Sequence, residues 1–180
     1  MASSAPSILD RVYLLYFVMH IPVLFCVDLV PLYPQSLWVP SASPLHFLFQ
    51  LREFYITTYN DQFFLPPPAP IPSFFPLYAF LELVFHLPVS LWAIRALRVG
   101  LSGSAELLLL VYGVETAVTT ATCMYDIFLW DPVVVTDAQK MVLLGGLYGG
   151  YLALAVLLTT DMYARVLKRL NVVDAVKKGQ

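Results

Sequence analysis

The stretch Leu81-Glu82-Leu83-Val84-Phe85-His86-Leu87-Pro88 places an acid and a histidine one helical turn apart inside an otherwise apolar run. That run extends from Ser73 to Ala93, which matches the ~20 apolar residues that cross a bilayer. An ionisable side chain at such depth is costly and normally faces a bundle interior or a cavity. Glu82 is therefore a candidate site residue. Its expected partner is Asp28, the one acid inside the first apolar run.

Composition points to the same class. Of 180 residues 59% are hydrophobic and 12% charged, against roughly one quarter charged in soluble domains, and the mean hydropathy is +0.76. These values predict an all-α membrane protein of one domain. A net charge of −2 indicates neither nucleic-acid binding nor an acidic tail. Four spans are expected, at Val12 to Leu32, Ser73 to Ala93, Ala105 to Leu129 and Met141 to Tyr163, forming a four-transmembrane-helix bundle with a luminal loop segment between helices one and two. Glu115 and Asp126 interrupt the third, which rests on its length and on the clean run Leu107 to Val114.

Arg11 precedes span one, Arg95 and Arg98 follow span two, and Arg165, Lys168, Arg169, Lys177 and Lys178 follow span four; Arg52 and Lys140 fall on the other side. The positive-inside rule then puts both termini in the cytoplasm. The first span lacks a small-x-small cleavage site after a short apolar core and is read as retained. The basic tail, residues 164–180, ends Lys177-Lys178-Gly179-Gln180. This looks like a dilysine retrieval signal of endoplasmic reticulum membrane proteins; the other reading is a basic anchor on anionic lipid.

Met1 to Asp10 reads as a disordered polar lead. In span one, Pro22 should kink the helix and free a carbonyl, and His20 either serves the site or bonds a neighbouring helix. Leu45 to Phe64 mixes Phe, Tyr and Leu with polar residues, as a segment lying on the membrane or capping the bundle would. Arg52 and Glu53 argue against its insertion, and the prolines from Pro66 to Pro76 give a stiff return to span two. Pro88 bends the lower half of that span.

In span three Glu115, Thr119, Thr122 and Asp126 recur at spacings of four, three and four, one helical face. Glu115 either faces a ligand or helps glue helices together; Asp126, Asp131 and Asp137 lie near or beyond the luminal interface. Gly145, Gly146, Gly149 and Gly150 allow close helix approach, within the bundle or in a homodimer. Tyr148 and Tyr151, between and beside them, line a cavity or simply pack. Cys26 and Cys123 lie inside spans, and no Cys-x-x-Cys or His-x-x-x-His spacing occurs, so neither disulfide nor metal is expected. Without a glycine-rich phosphate loop or a serine nucleophile motif, no cofactor is expected either.

Counted inward from the luminal ends, Asp28 lies a few residues deep and Glu82 about nine, or ~14 Å. Two carboxylates brought together in low dielectric share a proton and carry one negative charge. Such a pair suits a cationic amine sheathed in apolar groups. It equally suits proton transfer at the two ends of a carbon-carbon double bond. A purely structural pair is the third reading, and the residues alone leave all three open.

His20-Ile21-Pro22 with Asp28, then Glu82-Leu83-Val84-Phe85 with Leu87-Pro88, together with four spans and a basic tail, resembles the EXPERA family, which includes emopamil-binding protein, the sterol Δ8-Δ7 isomerase. The resemblance implies a small endoplasmic reticulum protein, often dimeric, whose occluded pocket opens toward lipid. It implies binding of sterols and cationic amphiphilic amines and a part in cholesterol handling. By position it makes Asp28 the amine-pairing acid, Glu82 the acid that holds it through a shared proton, and Asp61 a loop acid that orders the luminal segment. The isomerase branch has a histidine four residues before the first-helix acid, where this chain has Leu24, and a late tryptophan that span four lacks. A receptor-like binding protein is thus the expectation, with His20, Glu115, Tyr148 and Tyr151 beside the acid pair. Isomerisation through Glu82, Asp28 and His86 is the alternative. An accessory protein that binds other membrane proteins through its glycine face is the third.

Overall fold

The computed structural model describes residues 7–66, 69 and 71–178. The first six residues of the polar lead, Pro67, Pro68 and Pro70 of the proline cluster, and Gly179 and Gln180 of the dilysine signal lie outside the described residues. No strand occurs among those described. Five helices organise the chain: α1 (Ile8–Asp28), α2 (His46–Tyr59), α3 (Phe75–Val99), α4 (Gly103–Leu129) and α5 (Asp137–Lys178). All but α2 are long and apolar enough to cross a membrane. Large apolar side chains such as Leu15, Leu77, Val111 and Val118 stand on their outer surfaces, where lipid rather than water is the compatible solvent.

The helix boundaries correct one expectation and extend another. Helix α1 starts at Ile8, before the expected end of the disordered lead, because Ser7 and Asp10 form a reciprocal cap. The Ser7 hydroxyl accepts from the Asp10 amide at 3.1 Å, and the Asp10 carboxylate accepts from the Ser7 amide at 2.9 Å. Helix α5 runs for 42 residues, roughly 63 Å at ~1.5 Å per residue. That is twice the ~30 Å hydrocarbon core, so the basic tail as far as Lys178 continues the helix beyond any bilayer. The third span holds through Glu115 and Asp126 without a break.

One end of the bundle is clamped by ions. Arg165 on α5 bridges Asp10 of α1 at 2.7 Å and Asp161 at 2.8 Å, and the Tyr13 hydroxyl donates to Asp161. Arg169 grips the buried Glu106 of α4 and the Leu101 carbonyl between α3 and α4. Tyr13, Phe17, Ala93, Leu97, Leu109, Leu158 and Met162 fill the core near this end. A second core, with Phe63, Cys123, Ile127, Val135 and Leu143, lies toward the opposite end, beneath the connection that carries α2.

Helices α4 and α5 pack closely at Gly113. A Cβ there would meet Thr159 Oγ1 at 2.6 Å, the Thr159 amide nitrogen at 3.1 Å and the Ala155 carbonyl at 3.2 Å. The glycines expected to make such a contact do not make it inside the chain: nothing lies within 4 Å of a Cβ built at Gly145, Gly146 or Gly150.

Three of the long helices widen by a π turn, at Leu24–Asp28, Glu82–His86 and Val142–Leu147. Proline explains the second. Pro88 has no N–H for the Val84 carbonyl, and the Leu87 amide bonds back to the Glu82 carbonyl, five residues earlier. In α5 the widened turn brings the Leu144 carbonyl onto the position a Cβ of Gly149 would occupy, so that glycine is required by its own helix.

Candidate functional site

All three π turns border one cavity of about 340 Å³, enclosed by α1, α3, α4 and α5. Its walls are mostly apolar, with Val23, Val27, Phe75 and Ala79 among them. Tyr55 of α2 and Phe64 close it from the connection, so this segment caps the bundle.

The cap is held by Asp61, which is fully buried. Its carboxylate accepts from the Phe63 amide at 3.0 Å, the Tyr55 hydroxyl at 3.0 Å and the Tyr148 hydroxyl of α5 at 2.8 Å. Burial pushes this carboxyl above its usual range, and the three hydrogen bonds offset only part of that effect. Asn60, in the left-handed conformation that ends α2 (φ 54°), ties the cap to the α4–α5 connection through the Val134 carbonyl at 2.7 Å.

At the centre of the cavity wall His86 stands between two carboxylates. Its Nε2 contacts Glu115 of α4, and its Nδ1 lies 3.1 Å from Glu82. His20 of α1 comes from the other side, its Nε2 3.9 Å from the same Glu82 oxygen. The His20 ring stacks on Tyr16 at 5.3 Å and meets the edge of Tyr151 at 5.8 Å. The Tyr16 and Tyr112 hydroxyls are 3.1 Å apart, and the Tyr112 ring lies 4.7 Å from that of His86. Both histidines are 3% exposed, so neither is solvated.

An EXPERA family profile (EXPanded EBP superfamily) matches residues 47–162, from α2 to α5. The chain belongs to the EXPERA superfamily. The match includes Asp61, Glu82, His86, Glu115, Tyr148 and Tyr151, while His20 and Asp28 precede it. The chain is also similar to "Efficient mitochondria targeting-associated protein 19" of Schizosaccharomyces pombe. The two are 30% identical over 161 residues, which is 89% of this chain and 78% of the fungal one.

Within this EXPERA protein, Asp28, Glu82, His20, His86, Glu115, Tyr148 and Tyr151 all line the one cavity. Glu82 and Asp28 both line the cavity, and Glu82 also faces His20, eight residues before Asp28 on α1, and His86 on its own helix. The polar stripe of α4 reaches the cavity at Glu115 and Thr119 but leaves it afterwards. Thr122 bonds its own helix at the Val118 carbonyl, and Asp126 accepts from the Trp130 indole at 3.0 Å. Thr116, Thr120 and Cys123 take the positions along the wall.

Sequence reasoning missed the pairing of His86 with Glu115, which joins α3 to α4 and leaves no trace in local spacing. Tyr16 had a signal, lying four residues before His20. The expectation of no metal rested on ligand spacing within one helix. Donor atoms of His20, Glu82 and His86 all fall within 4.8 Å of one another, and a search for ligand spacing along one helix cannot see a set drawn from two.

Proposed function

We propose that this EXPERA protein is a receptor-like sterol- and amine-binding protein of the endoplasmic reticulum membrane, of the sigma-2 receptor type, acting in sterol homeostasis. Superfamily membership supports a sterol-related membrane protein. The observation that carries the finer reading is the make-up of the cavity. About 340 Å³ of mostly apolar space is lined by three acids, Asp28, Glu82 and Glu115, and only two histidines stand against them. A site of that size accepts a drug-sized amphiphile. Asp28 lies on the cavity wall without an ion pair to either histidine and can pair with an ammonium group, and the surrounding tyrosines offer ring faces to a cation. The basic residues of the clamped end and the Lys177-Lys178 pair support cytoplasmic termini and retrieval. The exposed glycines of α5 offer a surface for a homodimer.

Binding of radiolabelled ditolylguanidine to membranes carrying the wild type and Asp28→Asn, with sterols as competitors, tests this reading. Saturable binding that sterol displaces and Asp28→Asn loses is the expected result. Retained affinity in a folded Asp28→Asn variant would sink the assignment.

The placement of His86 between Glu82 and Glu115 favours sterol Δ8-Δ7 isomerisation as the second reading, since it supplies acid and base at one cavity wall. Membranes of an isomerase-deficient cell expressing the chain would then convert Δ8- to Δ7-sterol. The name of the fungal relative favours a third role, as an accessory to protein targeting that binds other membrane proteins. Cross-linking in native membranes would then capture such proteins, and alanine-to-leucine-sized substitutions at Gly145 and Gly146 would release them.

A further inference from the structure

We propose that His20, Glu82 and His86 form a binding site for a zinc-class divalent cation at the wall of the cavity. The donor atoms already converge. Glu82 Oε2 lies 3.1 Å from His86 Nδ1 and 3.9 Å from His20 Nε2. Ligands bound at ~2.0–2.1 Å around a tetrahedral centre stand roughly 3.3 Å apart, and all the donor atoms of this set already lie within 4.8 Å of one another, so His20 has to move inward to close it.

Hydrogen bonding leaves these same atoms unused. Both ring nitrogens of His20, Nδ1 of His86 and Oε2 of Glu82 are buried without a hydrogen-bond partner. Glu82 Oε2 and His86 Nδ1 are close enough to bond but are not aligned for it. With Nδ1 unprotonated, these two atoms would face each other as lone pairs, which a positive ion between them would reconcile. Buried donors and acceptors are otherwise almost always paired.

The remaining nitrogen of His86 is fixed as metal sites fix theirs. Its Nε2 is held by the Glu115 carboxylate, and with the ring proton on that nitrogen the Nδ1 lone pair would face Glu82. A carboxylate behind a metal-binding histidine both orients the ring and raises its basicity. Two imidazoles and one carboxylate suit zinc and its neighbours rather than magnesium or calcium, which prefer all-oxygen shells. Three protein ligands with a cavity alongside leave a fourth position for water or a bound molecule, the open arrangement of reactive zinc sites. The site needs neither Asp28 nor an amine, so it stands or falls apart from the receptor reading.

The test is a cobalt(II) titration of the purified full-length chain in detergent, stripped with a chelator and free of amines, with zinc as competitor. Expected are one cobalt per chain with a visible ligand-field band, displacement by zinc, loss of the band in His20→Ala and in His86→Ala, and a 10–100-fold weaker affinity in Glu115→Gln. Absence of saturable binding to the folded wild type would overturn the proposal. So would binding that survives both histidine substitutions and disappears in His46→Ala, the third histidine of the chain. If an alanine variant does not fold, His20→Gln serves in its place: zinc should raise the unfolding temperature of the wild type and not of that variant, and an equal rise in both would also overturn the proposal.

Discussion

The Tyr148 hydroxyl donates to the Asp61 carboxylate at 2.8 Å across 87 residues of chain, and this bond fastens the cap over the cavity to the last transmembrane helix. Tyr148→Phe removes the donor without altering the shape of the ring. It should cost about 1 kcal/mol, the usual net value of one hydrogen bond, and should loosen the cap. A double-mutant cycle with Asp61→Ala, which removes the acceptor, read from thermal unfolding in detergent, should return a coupling energy of similar size; additive effects would mean that the two groups do not interact.

Asp61 also predicts a pH dependence. A carboxyl raised by burial contributes stability that is complete below its unfolded value near about 3.9 and is lost as the pH rises through the higher folded value. The penalty of Asp61→Asn should therefore shrink with rising pH. Unfolding midpoints of wild type and variant, compared at about pH 4 and about pH 8, should lie further apart at the lower pH.

Gly113→Ala should destabilise the bundle by about 1–3 kcal/mol, the range for overpacking a close contact. Thr159 can rotate its hydroxyl away, but the Thr159 amide and the Ala155 carbonyl belong to the backbone of α5 and cannot. Gly150→Ala meets nothing within 4 Å and should be neutral or stabilise the helix by up to ~1 kcal/mol. Chemical denaturation of both variants in one detergent tests the contrast.

Arg165→Met should cost about 1–2 kcal/mol, between the values for exposed and for buried ion pairs, because it strips the cation from both Asp10 and Asp161. The wild-type advantage should fall as salt is added, since these side chains are only partly buried. Unfolding temperatures measured at low and high ionic strength provide the check.

What the residues reveal in advance divides along a physical line. Long apolar runs announce transmembrane helices, so α1, α3, α4 and α5 were readable, and Glu82 and Asp28 were visible as ionisable groups in the wrong solvent. Tyr148, Tyr151, His20 and Glu115 were also within reach, because a residue's place on a helix face follows from its number. Side-chain partnerships between helices are set by rotation and depth, which no local spacing encodes. Thus the two histidines beside Glu82 were not foreseen as its partners, and the close helix approach was looked for in a run of four glycines, while Gly113, where α4 meets α5, was not singled out. The reciprocal cap at Ser7 and Asp10 was readable, being a local signal, and was passed over.

The widened turns carry a lesson about descent. A π turn is an α-helix holding one residue too many, so each of the three is, in effect, a retained insertion. Removing a single residue inside Leu24–Asp28 would let the helix close to its ordinary pitch, and everything between that point and the adjoining loop would swing by ~100°. Asp28 would leave the cavity without any change in its identity. Relatives built on ordinary helices at these three places should therefore align with this chain through one-residue gaps, and an acid that matches Asp28 in the alignment will serve the same cavity only where the gap is absent.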